Sequence, residues 1–487
     1  MIEVLSVASE VYPLIKTGGL ADVVGALPRA MAEQAIEMRT LIPGYPAVTE
    51  KIGSARTVAR FDDLFGGPAS LLACRVADLD LIVLDAAHLF DREGNPYTGP
   101  DGWDWPDNWR RFAALSFVAH RLSQGLVQGY QPHILHAHDW QAGLVPAYLK
   151  YGGPSTVRSV MTVHNLAFQG RFGSDIFGEL QLPSEAYSVN GVEYYGGVGY
   201  LKAGLECADV VTTVSPSYAS EIRTSSGGMG LEGLLNNRAA TVLGILNGID
   251  MREWDPAVDP SLTQTFSLNT LHKRYRNTDA LRSAFSLEPS KGPLFGVVSR
   301  LTWQKGIDLL ADAIDDIVAR GGQLAVLGSG DAALETAVLR AAERHPGQVG
   351  LSTGFNEKLS HLMQGGADVI LVPSRFEPCG LTQLYALRYG AVPLVSRVGG
   401  LNDTVIDANI AAVNAGVATG IQFAPPTEQA LKDAIARVFS LWGDPVTWRK
   451  MQRRGMKSEV SWDASAARYA DLYTNLLGLK SDDQEDD

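Results

Sequence analysis

At 487 residues the chain is too long for one ordinary core, so two α/β domains are expected rather than one. With 46% hydrophobic and 20% charged residues it has the composition of a globular enzyme, and a net charge of −13 argues against nucleic acid or an anionic membrane as the main partner. Three widely spaced cysteines (Cys74, Cys207, Cys379), no apolar run near 18 residues and a strand-like start without a signal peptide together lead us to expect a reducing, cytoplasmic setting and no zinc site.

Ile2 to Ala8 is a β-branched, apolar run suited to a buried strand. It leads through Pro13 to Lys16-Thr17-Gly18-Gly19-Leu20, with Asp22 expected to cap a helix whose apolar face is Val23, Ala26, Leu27, Ala30 and Met31. Strand, Gly-Gly turn and helix open a nucleotide-handling βα unit. Glycines let backbone N–H groups approach a ligand, the helix start carries partial positive charge, and Lys16 adds a full cation. The pattern matches neither Gly-x-Gly-x-x-Gly nor the full phosphate loop ending in Gly-Lys-Ser/Thr.

Arg39 to Pro43 and Leu79 to Leu84 are the next expected strands. Asp78-Leu79-Asp80 has the form of a metal-holding pair, but ahead of an apolar strand it reads as a turn cap. A helix is expected over Arg110 to Leu126, and a strand over Pro132 to His138 ending in Asp139-Trp140. His136 and His138 share one strand face while Asp139 points away, which argues against a metal triad. Val157 to Val163 runs into His164, again at a strand end, where open α/β sheets place ligands. Tyr194 to Tyr200 opens a helix, and Asp209 to Val214 is a strand. Val242 to Leu246 is another, followed by Asn247. The Pro- and Asp-rich run Asp255 to Pro260 is the linker candidate, with the boundary near residue 245.

The alternation repeats beyond it. Leu294 to Ser299 leads to Arg300-Leu301-Thr302-Trp303-Gln304-Lys305-Gly306 and a helix from Ile307. Gln323 to Leu327 ends in Gly328-Ser329-Gly330-Asp331-Ala332-Ala333, a Gly-x-Gly-x-x-Ala pattern. The following strand, Val349 to Ser352, ends in Thr353-Gly354-Phe355 without the acid that would hold a ribose, so no NAD and no other cofactor is expected. Asp368 to Pro373 precedes Ser374-Arg375-Phe376-Glu377-Pro378-Cys379-Gly380-Leu381-Thr382-Gln383, where Gly380 permits close approach and Leu381, Thr382 and Gln383 present N–H groups at a helix start. Glu428 to Leu441 and Trp448 to Leu479 read as closing helices. The last seven residues hold five acids and no bases, a solvated and disordered tail.

Four of these motifs identify a resemblance. Lys16 to Leu20, His136 to Gln141, Arg300 to Gly306 and Arg375 to Gln383 closely resemble bacterial glycogen synthases and plant starch synthases, in the right order and over about residues 1 to 479. The resemblance implies an α/β GT-B fold, two Rossmann-like domains facing across a deep cleft. The expected division is an acceptor domain, 1–244, joined by a returning C-terminal helix at about 457–479, a nucleotide-sugar domain, 245–456, and the tail 480–487. It implies transfer of glucose from ADP-glucose to the non-reducing end of an α-1,4-glucan such as glycogen, with retention and release of ADP. It places Lys16 on the donor, His164, Asp139 and Asn247 around the sugar, and an aromatic against adenine, here Phe355. Tyr385 stands where many related glycosyltransferases carry a second glutamate.

Breaking the bond from glucose C1 to the diphosphate develops positive charge on the sugar and negative charge on the leaving group. Without a metal signature, side-chain cations must neutralise the diphosphate. Arg300 and Lys305, five apart across a strand-to-helix turn, can converge on it. Amides at Gly18, Gly19, Leu381 and Thr382 complete the cradle, and Cys379 contributes its backbone. Glu377 is expected to hold glucose hydroxyls and steady the cationic carbon, with all three charged residues lining a solvent-accessible crevice. Alternatives are a GT-B enzyme using UDP-glucose or making another α-glucoside, a glycogen phosphorylase, and a two-domain sugar-binding protein that leaves Arg300, Lys305 and Glu377 without a role.

Overall fold

The computed structural model describes residues 1–354 and 356–479, and the expectations for Phe355 and the acidic tail lie outside them. The chain forms two compact units. One comprises Met1–Asn247 with residues 462–479, the other Gly248–Ser461.

In chain order the strands of the first unit are β1 (Ile2–Val7), β2 (Ile36–Pro43), β3 (Arg56–Phe61), β4 (Ala69–Val76), β5 (Leu79–Asp85), β6 (Ile134–His138), β7 (Arg158–Val163), β8 (Arg171–Phe172), β9 (Glu193–Tyr194), β10 (Gly197–Gly199), β11 (Val210–Thr213) and β12 (Val242–Gly244). Among the described residues the main sheet runs β12-β11-β7-β6-β1-β2-β5-β4-β3. It is parallel from β12 to β5, and β4 and β3 add an antiparallel edge. β8, β10 and β9 make a separate small antiparallel sheet. β6 is buried along its whole length and β7 along all but its first residue, His136, His138, Ser159 and Thr162 included, as expected of strands covered on both faces of a parallel sheet. Chain order reverses between β1 and β6, so a ligand crevice belongs at the carboxyl ends of these two strands.

Helix Gly19–Glu33 packs its apolar face, Val23, Ala26, Leu27, Ala30 and Met31, with Tyr469, Leu472 and Tyr473 of the closing helix Asp463–Leu476. The expected continuous helix Trp448 to Leu479 is instead two, Pro445–Gly455 in the second unit and Asp463–Leu476 in the first. Asp22 is not the helix cap. Gly18 holds that place, and Asp22 stands in the first turn, where its carboxylate complements the positive helix end.

The second unit contains β13 (Leu294–Val298), β14 (Gln323–Leu327), β15 (Val349–Ser352), β16 (Val369–Val372), β17 (Val392–Ser396) and β18 (Ile421–Phe423). The parallel order is β15-β14-β13-β16-β17-β18, the doubly wound arrangement with its switch point between β13 and β16. Asp255 to Pro260 is not a linker but part of this unit. Asp255 pairs with Arg388 at 2.9 Å, and buried Asp259 accepts from Tyr389 Oη at 2.6 Å and pairs with His361 at 2.8 Å. Tyr385 stacks on Trp254 with ring centroids 3.6 Å apart, inside a cluster with Leu271, Leu384 and Leu387. Tyr385 is therefore a core side chain.

Candidate active site

In the first unit the carboxyl end of β1 continues into Glu10, which is buried and accepts from the Thr17 hydroxyl at 2.6 Å as well as from the Thr17 amide and the Tyr97 hydroxyl. That carboxylate fixes the path of Lys16 to Gly19. Lys16 Nζ lies 2.7 Å from Asp22 and 5.4 Å from the Tyr12 ring centre. A side chain at Gly18 would meet nothing within 4 Å, so the chain itself leaves open space there. Gly19 is the first residue of its helix, so its amide has no intrahelical acceptor. Glu10 and Tyr97 escaped the sequence reading, because 87 residues separate the two partners.

The carboxyl ends of β6 and β7 bring three histidines together. His136 bonds Thr162 at 2.6 Å and Tyr473 at 2.7 Å, and His138 Nδ1 lies 3.0 Å from His164 Nε2. Burial pushes the His136 and His164 imidazoles down to about 3 and His138 well below its ordinary value. All three are neutral near pH 7. Asp139 follows β6 at φ 56°, a left-handed backbone that aims its carboxylate at the amides of His164 (2.7 Å) and Asn165 (3.4 Å). Burial raises its carboxyl to about 7 against the opposing effect of those two amides. Asn247, just past β12, is buried with no hydrogen-bond partner for Oδ1 among the described residues.

In the second unit the switch point carries the charge. Arg300 follows β13 and is exposed. Lys305 lies five residues on, in the turn that enters helix Ile307–Ala319, and its ammonium is 2.5 Å from Glu377 Oε2. Glu377 follows β16, and Ser374 Oγ donates to the same oxygen at 2.8 Å. The neighbourhood of β13 and β16 thus brings together residues 72 apart in sequence. Glu377 is only 6% exposed and pairs with Lys305, so it is more enclosed than a freely solvated acid. Both bonds fall on Oε2, so Oε1 keeps its lone pairs for a hydroxyl.

Gly306 shapes this turn. Its φ is 67°, and an added Cβ would stand 2.0 Å from the Pro373 carbonyl oxygen, just before Ser374. Gly306→Ala is expected to destabilise the protein by about 2 kcal/mol or more. Urea unfolding at neutral pH measures that loss, and an unchanged midpoint would show that the turn has room. Beside it, Arg375 grips Asp308 through two 2.7 Å bonds and lies 4.4 Å from the Trp303 ring centre, fastening the end of β16 to the helix.

Cys379 is buried, and its carbonyl accepts from Gln383 Nε2 at 3.0 Å, as does that of Gly380 at 2.9 Å. Leu381 caps helix Thr382–Arg388, so the amides of Thr382, Gln383 and Leu384 lack intrahelical acceptors. Among the described residues no group of three or more His, Cys, Asp or Glu side chains is placed to hold a metal ion. Asp80, one of the suspected metal pair, instead bonds Arg39 at 2.9 Å. No helix among them is long and apolar enough to cross a membrane.

A family model described as the starch synthase catalytic domain matches residues 3–237, and one described as glycosyl transferases group 1 matches residues 281–455. A glycogen synthase of Mesorhizobium japonicum is 56% identical over 479 residues, covering 98% of this chain and 100% of its own. One from Rhodopseudomonas palustris is 57% identical over 477 residues, covering 98% and 99%. The catalytic domain of starch synthase IV from Arabidopsis thaliana, solved with ADP and acarbose bound, superposes with a TM-score of 0.88 at 30% identity over 98% of this chain and 99% of that one. Doubly wound sheets, strand-end charges and relatives matched along nearly their whole length agree: the chain belongs to the glycogen synthase and starch synthase family and is a glycosyltransferase of the GT-B fold.

Proposed function

We propose that this chain transfers glucose from ADP-glucose to the non-reducing end of an α-1,4-glucan such as glycogen, with retention at the anomeric carbon and release of ADP, in the cytoplasm. The observation that carries this reading is the Lys305–Glu377 pair, set with Arg300 at the switch point of the second unit. An ammonium bonded to a carboxylate is a poised charge. When a diphosphate enters, Lys305 can share its protons between phosphate oxygen and Glu377. Arg300, exposed and forked, can take two phosphate oxygens at once. The free first-turn amides of helix Thr382–Arg388, reached through the Cys379-Gly380-Leu381 turn, add fixed donors at no cost in reorganisation.

The C1–oxygen bond to the diphosphate breaks as the acceptor hydroxyl forms its own bond to C1. The hydroxyl proton passes to the departing phosphate oxygen on the same face, which preserves the configuration. Glu377 Oε1 is assigned to the glucose hydroxyls, where its charge also steadies the cationic carbon. In the first unit Lys16 and the open turn at Gly18-Gly19 are assigned to the donor. Asp139, His164 and Asn247 are assigned to the sugar: a carboxyl held near neutrality, a neutral imidazole and an unsatisfied amide oxygen suit hydroxyl groups better than they suit phosphate.

A panel of ADP-, UDP- and GDP-glucose with a maltooligosaccharide tests the assignment, scored by nucleoside diphosphate release and product length. The expected result is stepwise elongation, fastest with ADP-glucose. Faster transfer from UDP-glucose, or release without elongation, would overturn it. Two cations on the diphosphate also predict that activity persists in excess chelator. Loss in chelator and recovery with magnesium or manganese would show a metal sharing that work.

A further inference from the structure

At the amino ends of β13 and β16 the second unit carries a cleft of about 280 Å³, a size suited to a small molecule. Lys291 and Gly292 lead into β13, and Asp368 stands immediately before β16. Arg300 and Glu377 follow the opposite ends of the same two strands. A strand the length of β13 spans roughly 16 Å, so an occupant of this cleft does not reach them.

Arg274, Arg282, Lys291 and Arg449 line the cleft against two acids, Asp279 and Asp368, a local positive excess in a chain whose net charge is −13. Arg274 is only 4% exposed. Its Nε donates to the Tyr389 carbonyl at 3.0 Å, and Nη2 donates to the carbonyls of Gln364, at 2.9 Å, and Ala367. Three carbonyls thus lock the guanidinium in place. Nη1 makes no hydrogen bond among the described residues, because the Asp368 carboxylate lies 3.8 Å away, beyond hydrogen-bond reach. Burial lowers the Arg274 guanidinium to about 10, which still leaves it charged near pH 7. A buried, charged donor left without an acceptor calls for one. Arg282 is fixed in turn by Gln323 Oε1 at 2.8 Å. Lys291 and Arg449 are exposed, and among the described residues neither is engaged in an ion pair.

We propose that this cleft binds a small phosphate monoester, at a site separate from the strand-end site. Such a group is close to a dianion at neutral pH and offers three strong acceptor oxygens. One rigid cation with an unspent donor, Arg274, and two mobile ones, Lys291 and Arg449, match that charge and that number of oxygens. A carboxylate, with one charge and two oxygens, leaves the positive excess unmet. The cleft is larger than a phosphate group alone. Trp442, whose indole donates to the Lys291 carbonyl at 3.2 Å, and the exposed ring of Tyr275 line it as well, and their faces suit the sugar-like or aromatic remainder of an ester.

Isothermal titration calorimetry with phenyl phosphate tests the site in wild type, in the double variant Lys291→Ala/Arg449→Ala and in Arg300→Ala. The measurement needs neither donor nor acceptor, so it stands apart from the proposed reaction. Both cleft substitutions are at exposed positions, and the double variant is expected to melt like wild type. It is expected to bind phenyl phosphate about tenfold or more weakly, having lost two charge-assisted contacts, while Arg300→Ala binds like wild type. Phenyl sulfate, of similar shape with one charge fewer, is expected to bind wild type about fivefold or more weakly than phenyl phosphate. Wild-type affinity in the double variant, or no binding by wild type at millimolar probe, overturns the site. So does a tenfold loss in Arg300→Ala, which would put the anion at the strand-end site. Equal affinity for phenyl sulfate would reduce the cleft to diffuse attraction of anions and overturn the phosphate assignment.

Discussion

Lys305→Ala and Arg300→Ala are each expected to lose about a hundred- to a thousandfold in kcat, with a smaller change in KM for the donor. The reason is differential. Negative charge grows on the bridging oxygen as the bond to C1 lengthens, so a preorganised cation is worth more in the transition state than in the donor complex. Arg300→Lys should rescue poorly, because an ammonium cannot make the two-pronged contact. The two alanine variants differ in what they leave behind. Arg300 is exposed, and its loss strands no buried group. Lys305 is bonded to a carboxylate only 6% exposed, so its removal leaves Glu377 buried without its counter-charge. Lys305→Ala should therefore also lower thermal stability, while Arg300→Ala leaves it near wild type. Steady-state kinetics with ADP-glucose and a maltooligosaccharide, paired with melting curves, read both effects. Near wild-type turnover in either folded variant would remove that residue from the phosphate cradle.

Acidification is expected to destabilise the first unit steeply below pH 6.5. Burial holds His136 and His164 at about 3 and His138 well below its ordinary value, so the unfolded chain binds more protons than the folded one in that window. The stability these groups contribute is fully present above the unfolded value and is lost as pH falls toward the folded ones. Each histidine is worth roughly 1.4 kcal/mol per pH unit. Asp139 works in the opposite sense: with its carboxyl raised to about 7, its contribution is fully present below the unfolded carboxylate value and lost as pH rises through 7. Half of the unfolded histidines are already protonated at pH 6.5, so three losses against one gain leave about 2 kcal/mol between pH 7.5 and 5.5, a substantial share of a typical domain's stability. Urea midpoints at pH 7.5 and 5.5 measure this directly. Equal midpoints would mean that the histidines are not buried neutral.

Much of the fold was legible because parallel strands buried on both faces read as short apolar runs ending in polar or glycine turns; β13 and β16 are unbroken runs, and β1, β6 and β7 carry enough apolar residues to stand out. The charged turns following β13 and β16 were legible for the same reason, since the end of an apolar run marks the ligand side of such a sheet. The antiparallel pair β3–β4 was not expected: Arg-Thr-Val-Ala-Arg-Phe is a partly exposed edge strand without a strong apolar signal. The small sheet of β8, β9 and β10 was missed because two- and three-residue strands carry no periodicity. Asp22 was misplaced by one turn, since an acid in the first turn and an acid at the cap look alike in sequence. Spacing could bring Arg300 and Lys305 together within one turn, but it could not show Lys305 closing on Glu377. That contact exists only because β13 and β16 are neighbours in the sheet.

Single-turnover release of ADP, with enzyme in excess over ADP-glucose and saturating maltotetraose, tests most directly the claim that Lys305 and Glu377 act as one charge-handling unit. It is measured in wild type, Lys305→Ala, Glu377→Ala and the double variant. The account predicts a loss of about a hundredfold or more in each single variant and little further loss in the double. Losses that multiply in the double variant, or a wild-type rate in Lys305→Ala, would contradict it.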